Sequence, residues 1–192
     1  MGHDIGGMIA HAYASRYPEN TASVTWGECP LPGTKAYEKV KNTSGMWHFT
    51  FHAQTDLPEA LVVGRERMYL QHFYTRLAVN PSAITMGDLE HYAVQFAQAG
   101  AMRAGFDLYR AFPTDAEENR KWVEEKGKCK VPCLALNGDG SPLKEIAGEM
   151  AGEMYESVEV KEVAGSGHYV AEEAPEEFVK AIADFVEKHS GE

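Results

Sequence analysis

Short β-prone runs alternate with helical runs at both ends of this 192-residue chain, which predicts an α/β fold: a parallel sheet with helices on its faces, interrupted by a helical insertion. The insertion is marked by a change of composition near Thr34, after which strand signals fade until Gly127. A third pointer is the opening Gly2-His3-Asp4-Ile5-Gly6-Gly7, where small residues surround one acid at the start of a helical run. The expected organisation is a discontinuous core, residues 1–33 and 128–192, with a helical cap over 34–127.

From Met8 to Tyr17 small and apolar residues support a tightly packing helix that Pro18 ends, which places Asp4 at a helix N-terminus. Ser23-Val24-Thr25-Trp26-Gly27 reads as a short strand, broken by the loop Glu28-Cys29-Pro30-Leu31-Pro32-Gly33. Within the insertion, Leu70/Phe73/Tyr74/Leu77 and Leu89/Tyr92/Ala93/Phe96 each fall at helical spacing. Strands resume with Val131 to Leu136, ending in the turn residues Asn137-Gly138-Asp139-Gly140. A helix from Leu143 to Met154, a strand marked by Val158, Val160 and Val163, and the loop Ala164-Gly165-Ser166-Gly167-His168 follow. A last helix from Pro175 is expected to bury Phe178, Ile182, Phe185 and Val186.

A net charge of −11 without any dense Lys/Arg cluster argues against nucleic acid or an anionic membrane as partner. Small neutral substrates remain compatible, and a homo-oligomer stays open. No apolar run approaches the length of a membrane span. Cys29, Cys129 and Cys133 are odd in number and form no C-x-x-C pair, so neither a disulfide framework nor a zinc site is suggested, and a reducing, cytoplasmic location is expected.

The first seven residues have the form of a nucleophile elbow with aspartate as nucleophile, although the strand that should lead into the bend looks absent. Asp4 ionises well below neutral pH, so it can attack an electrophilic carbon without a base and form an alkyl ester. The competing reading is an N-capping aspartate. His48 and His52 are spaced i, i+4, but no third ligand or intervening glutamate makes them a metal pair.

These pieces in this order resemble part of an α/β-hydrolase fold of the epoxide hydrolase and haloacetate dehalogenase group, with a helical cap between sheet strands. The resemblance rests on the opening elbow, Glu28-Cys29-Pro30-Leu31-Pro32-Gly33, Trp47-His48-Phe49, the stretch from Met102-Arg103 to Tyr109-Arg110, and Gly165-Ser166-Gly167-His168-Tyr169. It covers essentially the whole chain and implies a partial α/β-hydrolase fold, truncated before the elbow. By position, the resemblance implies Asp4 as nucleophile, His168 as the base that activates water, and Ile5 N–H as one oxyanion donor. It offers two places for the acid that orients His168. Glu28 is preferred; Asp139 is the alternative, in a run where Ser141 falls nearest the usual position.

In the cap the resemblance aligns Tyr109 and His48 with donors to the epoxide oxygen, with Trp47 and Phe49 beside them in the substrate pocket. Packed aromatic residues in the cap core are the competing reading for Tyr109 and His48. Haloacetate dehalogenases follow the nucleophile with arginine, whereas Ile5 offers no fork for a carboxylate. A neutral epoxide is therefore the expected substrate, with no cofactor or metal required. The rivals are haloacetate dehalogenation and a catalytically inactive remnant whose exposed sheet edge pairs with another chain.

Overall fold

In the computed structural model, which describes residues 1–189, four parallel strands lie side by side in sequence order. They are β1 (Gly2–His3), β2 (Val24–Gly27), β3 (Cys133–Gly138) and β4 (Val158–Val163). The strand expected to be missing before the elbow is therefore present as a stub: Gly2 pairs with Trp26 and His3 with Gly27. Two residues carry no periodicity of their own, and it is the ladder of β2 that makes them a strand.

The helix α1 (Ile5–Arg16) turns back from β1 onto the sheet. Between β2 and β3 come α2 (Lys35–Val40), α3 (Trp47–His52), α4 (Leu57–Val62), α5 (Glu66–Leu77), α6 (Met86–Phe96) and α7 (Ala101–Lys126). No strand occurs between positions 34 and 127 among the described residues. The two helical patterns read from the sequence fall on α5 and α6, and α6 starts at a capping box formed by Thr85 and Asp88. The chain ends with α8 (Lys144–Met154), the single turn α9 (Val170–Glu173) and α10 (Pro175–His189).

β3 is buried on both sides, and its alternation assigns each face. Cys133 and Ala135 join Met8 and Ala14 of α1, Trp26, and Ala147, Met150 and Ala151 of α8. Leu134 and Leu136 face the other way, toward Val163, Val170 and Phe185. Two sequence expectations are corrected. Asn137 and Gly138 continue the ladder opposite Glu162 and Val163 instead of turning, because parallel pairing outweighs their turn preference. In α10, Phe185 is buried and Phe178 and Ile182 pack partly against this cluster, but Val186 lies at the edge of the stripe and is 43% exposed.

No described helix is long and apolar enough to cross a membrane, and the three cysteines are free and buried. What the sheet contributes to function is register. Asp4 follows β1, Glu28 follows β2, Asp139 follows β3 and His168 lies just beyond β4, so all four gather at the carboxyl ends of parallel strands, where open α/β sheets hold their ligands.

Candidate active site

At the elbow the backbone turns too sharply for any side chain at position 2, where an added Cβ would meet the carbonyl oxygen of Gly6 at 1.9 Å. Asp4 sits at the bend with φ 53° and ψ −132°, and its N–H donates to the carbonyl of Gly27 over 3.1 Å. A non-glycine residue in such a conformation stores strain that the surroundings must hold in place. The capping alternative is overturned, because the Asp4 side chain makes no cap hydrogen bond to α1. Its Oδ2 instead lies 3.4 Å from Nε2 of His168.

The next strand ends in a second bend of the same kind. Glu28 has φ 56° and is 1% exposed. Its Oε1 accepts the Gly138 N–H at 2.8 Å, and its Oε2 accepts the Ser141 hydroxyl at 2.8 Å and faces Nδ1 of His168 at 3.3 Å. Its own N–H donates to Oδ1 of Asn137 at 3.0 Å. The alternative acid is placed differently: Oδ1 of Asp139 accepts the Gly165 N–H at 3.0 Å, which braces the loop and leaves His168 to Glu28.

His168 thus bridges two carboxylates through its two ring nitrogens. Burial opposes its charge, but the hydrogen bonds and charges of Asp4 and Glu28 overcome this and lift its pKa to about 10. Asp4 answers in kind. Enclosure alone would raise its pKa, yet His168 holds it below the usual aspartate value, so the resting pair is a carboxylate and an imidazolium. Ile5 opens α1, where its N–H has no acceptor within the helix.

No protein-family model matches the chain. Epoxide hydrolase 1 of Caenorhabditis elegans is 24% identical over 198 residues, which takes in 98% of this chain and 48% of that protein. The crystal structure of Cfl2 from Burkholderia cenocepacia superposes with a TM-score of 0.88 and 34% identity, over 95% of this chain and 63% of Cfl2. The chain has a partial α/β-hydrolase fold and is similar in sequence to an epoxide hydrolase. The Cif epoxide hydrolase from Acinetobacter nosocomialis shares the same fold, with a TM-score of 0.87 at 18% identity over 96% of this chain and 59% of that one. The chain spans about half the length of the curated relative and less than two thirds of these structures.

In this α/β-hydrolase fold a cavity of about 740 Å³ lies between the carboxyl ends of the strands and the inserted helices. Asp4, Ile5, Glu28 and His168 line it from the sheet side, and His48, Phe49 and Tyr109 from the insertion. The Tyr109 hydroxyl has no hydrogen-bond partner among the described residues, and burial holds its pKa above the ordinary phenol value. His48 is pushed down to about 4 by burial, against the pull of the Asp4 charge, and stays neutral at pH 7. Its Nδ1 is buried without a partner. Both are therefore neutral groups with polar atoms left over.

Trp47 is a correction. It does not line the cavity; its ring stacks on Phe73 at 5.9 Å with 14° between the planes, and the residue is 37% exposed. As the first residue of α3 it points away from the face that carries His48, Phe49 and His52 toward Tyr109. The sequence reading missed three polar supports. Ser141 donates to Glu28, His3 Nε2 lies 2.6 Å from the carbonyl of His168, and His52 Nε2 lies 2.5 Å from the Tyr69 hydroxyl. Only Ser141 had a sequence signal, its place in the run aligned with the alternative acid. His52 is not free to ligate a metal through that nitrogen, and among the described residues no group of three His, Cys, Asp or Glu is placed to hold one.

Proposed function

We propose that the protein hydrolyses a neutral epoxide to a diol through an ester on Asp4. The observation that carries this reading is His168 held between an accessible carboxylate and a buried one beneath an aromatic cavity. An Oδ of Asp4 attacks a ring carbon, the carbon–oxygen bond opens, and Tyr109 and His48 hydrogen-bond the oxygen where negative charge develops. A proton from the Tyr109 hydroxyl or from water completes the alcohol. Esterification also removes the Asp4 charge, one of the two supports of the His168 imidazolium. The imidazole can then give its proton to the Tyr109 phenolate or hydroxide left by that step and take one from water, whose hydroxide attacks the ester carbonyl carbon. Ile5 N–H stabilises the resulting oxyanion, Glu28 stabilises the charged His168, and collapse returns Asp4 and the diol.

Residues 34–127 act in this reading as a cap over a core made of 1–33 and 128–192. The name epoxide hydrolase on the worm and Acinetobacter relatives supports the substrate class. One feature favours the dehalogenase alternative: Arg76 borders the cavity, with no acidic partner among the described residues, and is a cation that a substrate carboxylate could meet. The deciding experiment treats the His168→Gln variant with styrene oxide and weighs the intact protein. An adduct that accumulates on Asp4 is expected, and diol should form in the parent protein without halide release from fluoroacetate or chloroacetate. Absence of adduct and of diol supports the inactive remnant, while halide release without diol supports the dehalogenase.

A further inference from the structure

One carboxylate outside the site holds the His168 loop. Glu173, the last residue of α9, accepts the N–H groups of Gly167 and Tyr169 on Oε1, each at 3.0 Å, so that both neighbours of His168 are tied to it. Its Oε2 accepts the N–H groups of Val79 and Asn80 at 2.7 and 2.8 Å, in the segment that follows α5 in the insertion. A single side chain therefore accepts four backbone hydrogen bonds from two stretches nearly ninety residues apart in the chain.

On the side that faces His168 this junction is close-fitted. His168 N–H donates to the carbonyl of Leu77 at 2.9 Å, and a Cβ on Gly167 would meet that same oxygen at 2.4 Å. Above it the rings of Tyr74 and Tyr169 lie edge to face, 4.9 Å apart. The two stretches must be held in one arrangement for the His168 ring to reach Asp4 and Glu28 together, and four charge-assisted bonds on one carboxylate supply that hold.

We propose that Glu173 is a positioning residue: it fixes the His168 imidazole by clamping its loop to the segment after α5, so that seating of the helical insertion and orientation of the base are one event. The proposal rests on the catalytic reading for the role of His168, but its first test does not. Glu173→Gln keeps the shape and turns one acceptor into a donor that faces two N–H groups, and the His168 ring is then titrated by NMR. With the ring no longer held between its two carboxylates, its pKa is expected to fall by about one unit or more toward the free value. An unchanged titration in a folded Glu173→Gln variant overturns the proposal, whatever the protein catalyses.

The second measurement follows the ester on Asp4 in single turnover. Ester formation in Glu173→Gln should stay within about threefold of the parent while ester hydrolysis slows about tenfold or more, since only the second step needs the base. Equal slowing of both steps marks a general loss of fold and overturns a positioning role. Glu173→Asp, which keeps the charge but shortens the reach, should recover part of the hydrolysis rate; recovery no better than in the Gln variant counts against the clamp. If His168→Gln forms no ester at all, the catalytic reading fails and the NMR titration alone decides the role of Glu173.

Discussion

Two neighbouring bends of this sheet place an acid in the same way and leave it in opposite surroundings. Asp4 after β1 and Glu28 after β2 have φ of 53° and 56°, and each faces one nitrogen of the same imidazole. The Asp4 side chain is 41% exposed and has His168 as its partner, whereas that of Glu28 is 1% exposed and also takes the Gly138 N–H and the Ser141 hydroxyl. A similar positive φ at the two bends thus accompanies unequal chemistry. A carboxylate with spare lone pairs and access to a cavity can become a nucleophile, while one whose lone pairs are filled can only orient and stabilise charge.

The comparison breaks first at Asp4. Asp4→Asn keeps the shape and removes the charge, and epoxide turnover should fall by about 10⁴-fold or more with no adduct visible by mass. Thermal stability should fall less than in the Glu28 variant below, because that side chain caps no helix and is partly exposed. Retained ester formation in freshly purified Asp4→Asn protein would show that the nucleophile lies elsewhere.

Glu28→Gln should behave in the reverse manner. The amide must turn its NH₂ toward either the Gly138 N–H or the Ser141 and His168 side, leaving a buried donor unanswered at a cost of about 1–3 kcal/mol. Its melting temperature should drop, ester should still form on Asp4, and hydrolysis should slow by roughly 10²-fold as the imidazolium loses its support. A Glu28→Gln protein as stable as the parent, with both steps intact, would erase the distinction between the two corners.

Much of this contrast was legible in the sequence, for identifiable reasons. Small residues on both sides of Asp4 and the proline-rich exit after Glu28 are local signals of bends, and the Gly-Ser-Gly-His loop is another. What fills the lone pairs of Glu28 was not legible, because Gly138 and Ser141 lie 110 and 113 residues away and meet it only through the ordering of β2 beside β3. β1 escaped notice for a related reason, since a two-residue strand exists by virtue of its neighbour. Asn137 and Gly138 misled because a turn-forming pair can still complete a ladder when the neighbouring strand runs on beside it, as β4 does through Glu162 and Val163. Trp47 went astray because the sequence gives its neighbours but not the face of α3 on which it projects.

The smallest expected effect measures how the two corners share His168. Its folded pKa of about 10 lies above the ordinary 6.5, so the folded state holds the proton more tightly than the unfolded chain. The stabilisation is complete below pH 6.5 and is lost as pH rises through about 10, so the melting temperature should decline across that interval. In Asp4→Asn the decline should begin and end at lower pH, because the imidazolium keeps only Glu28; in Glu28→Gln it keeps only Asp4. The size of the downward move in each variant ranks the two carboxylates as partners of the imidazolium. Identical pH profiles in parent and both variants would mean that neither carboxylate holds the proton on His168, and the switch from imidazolium to base on esterification would fall with them.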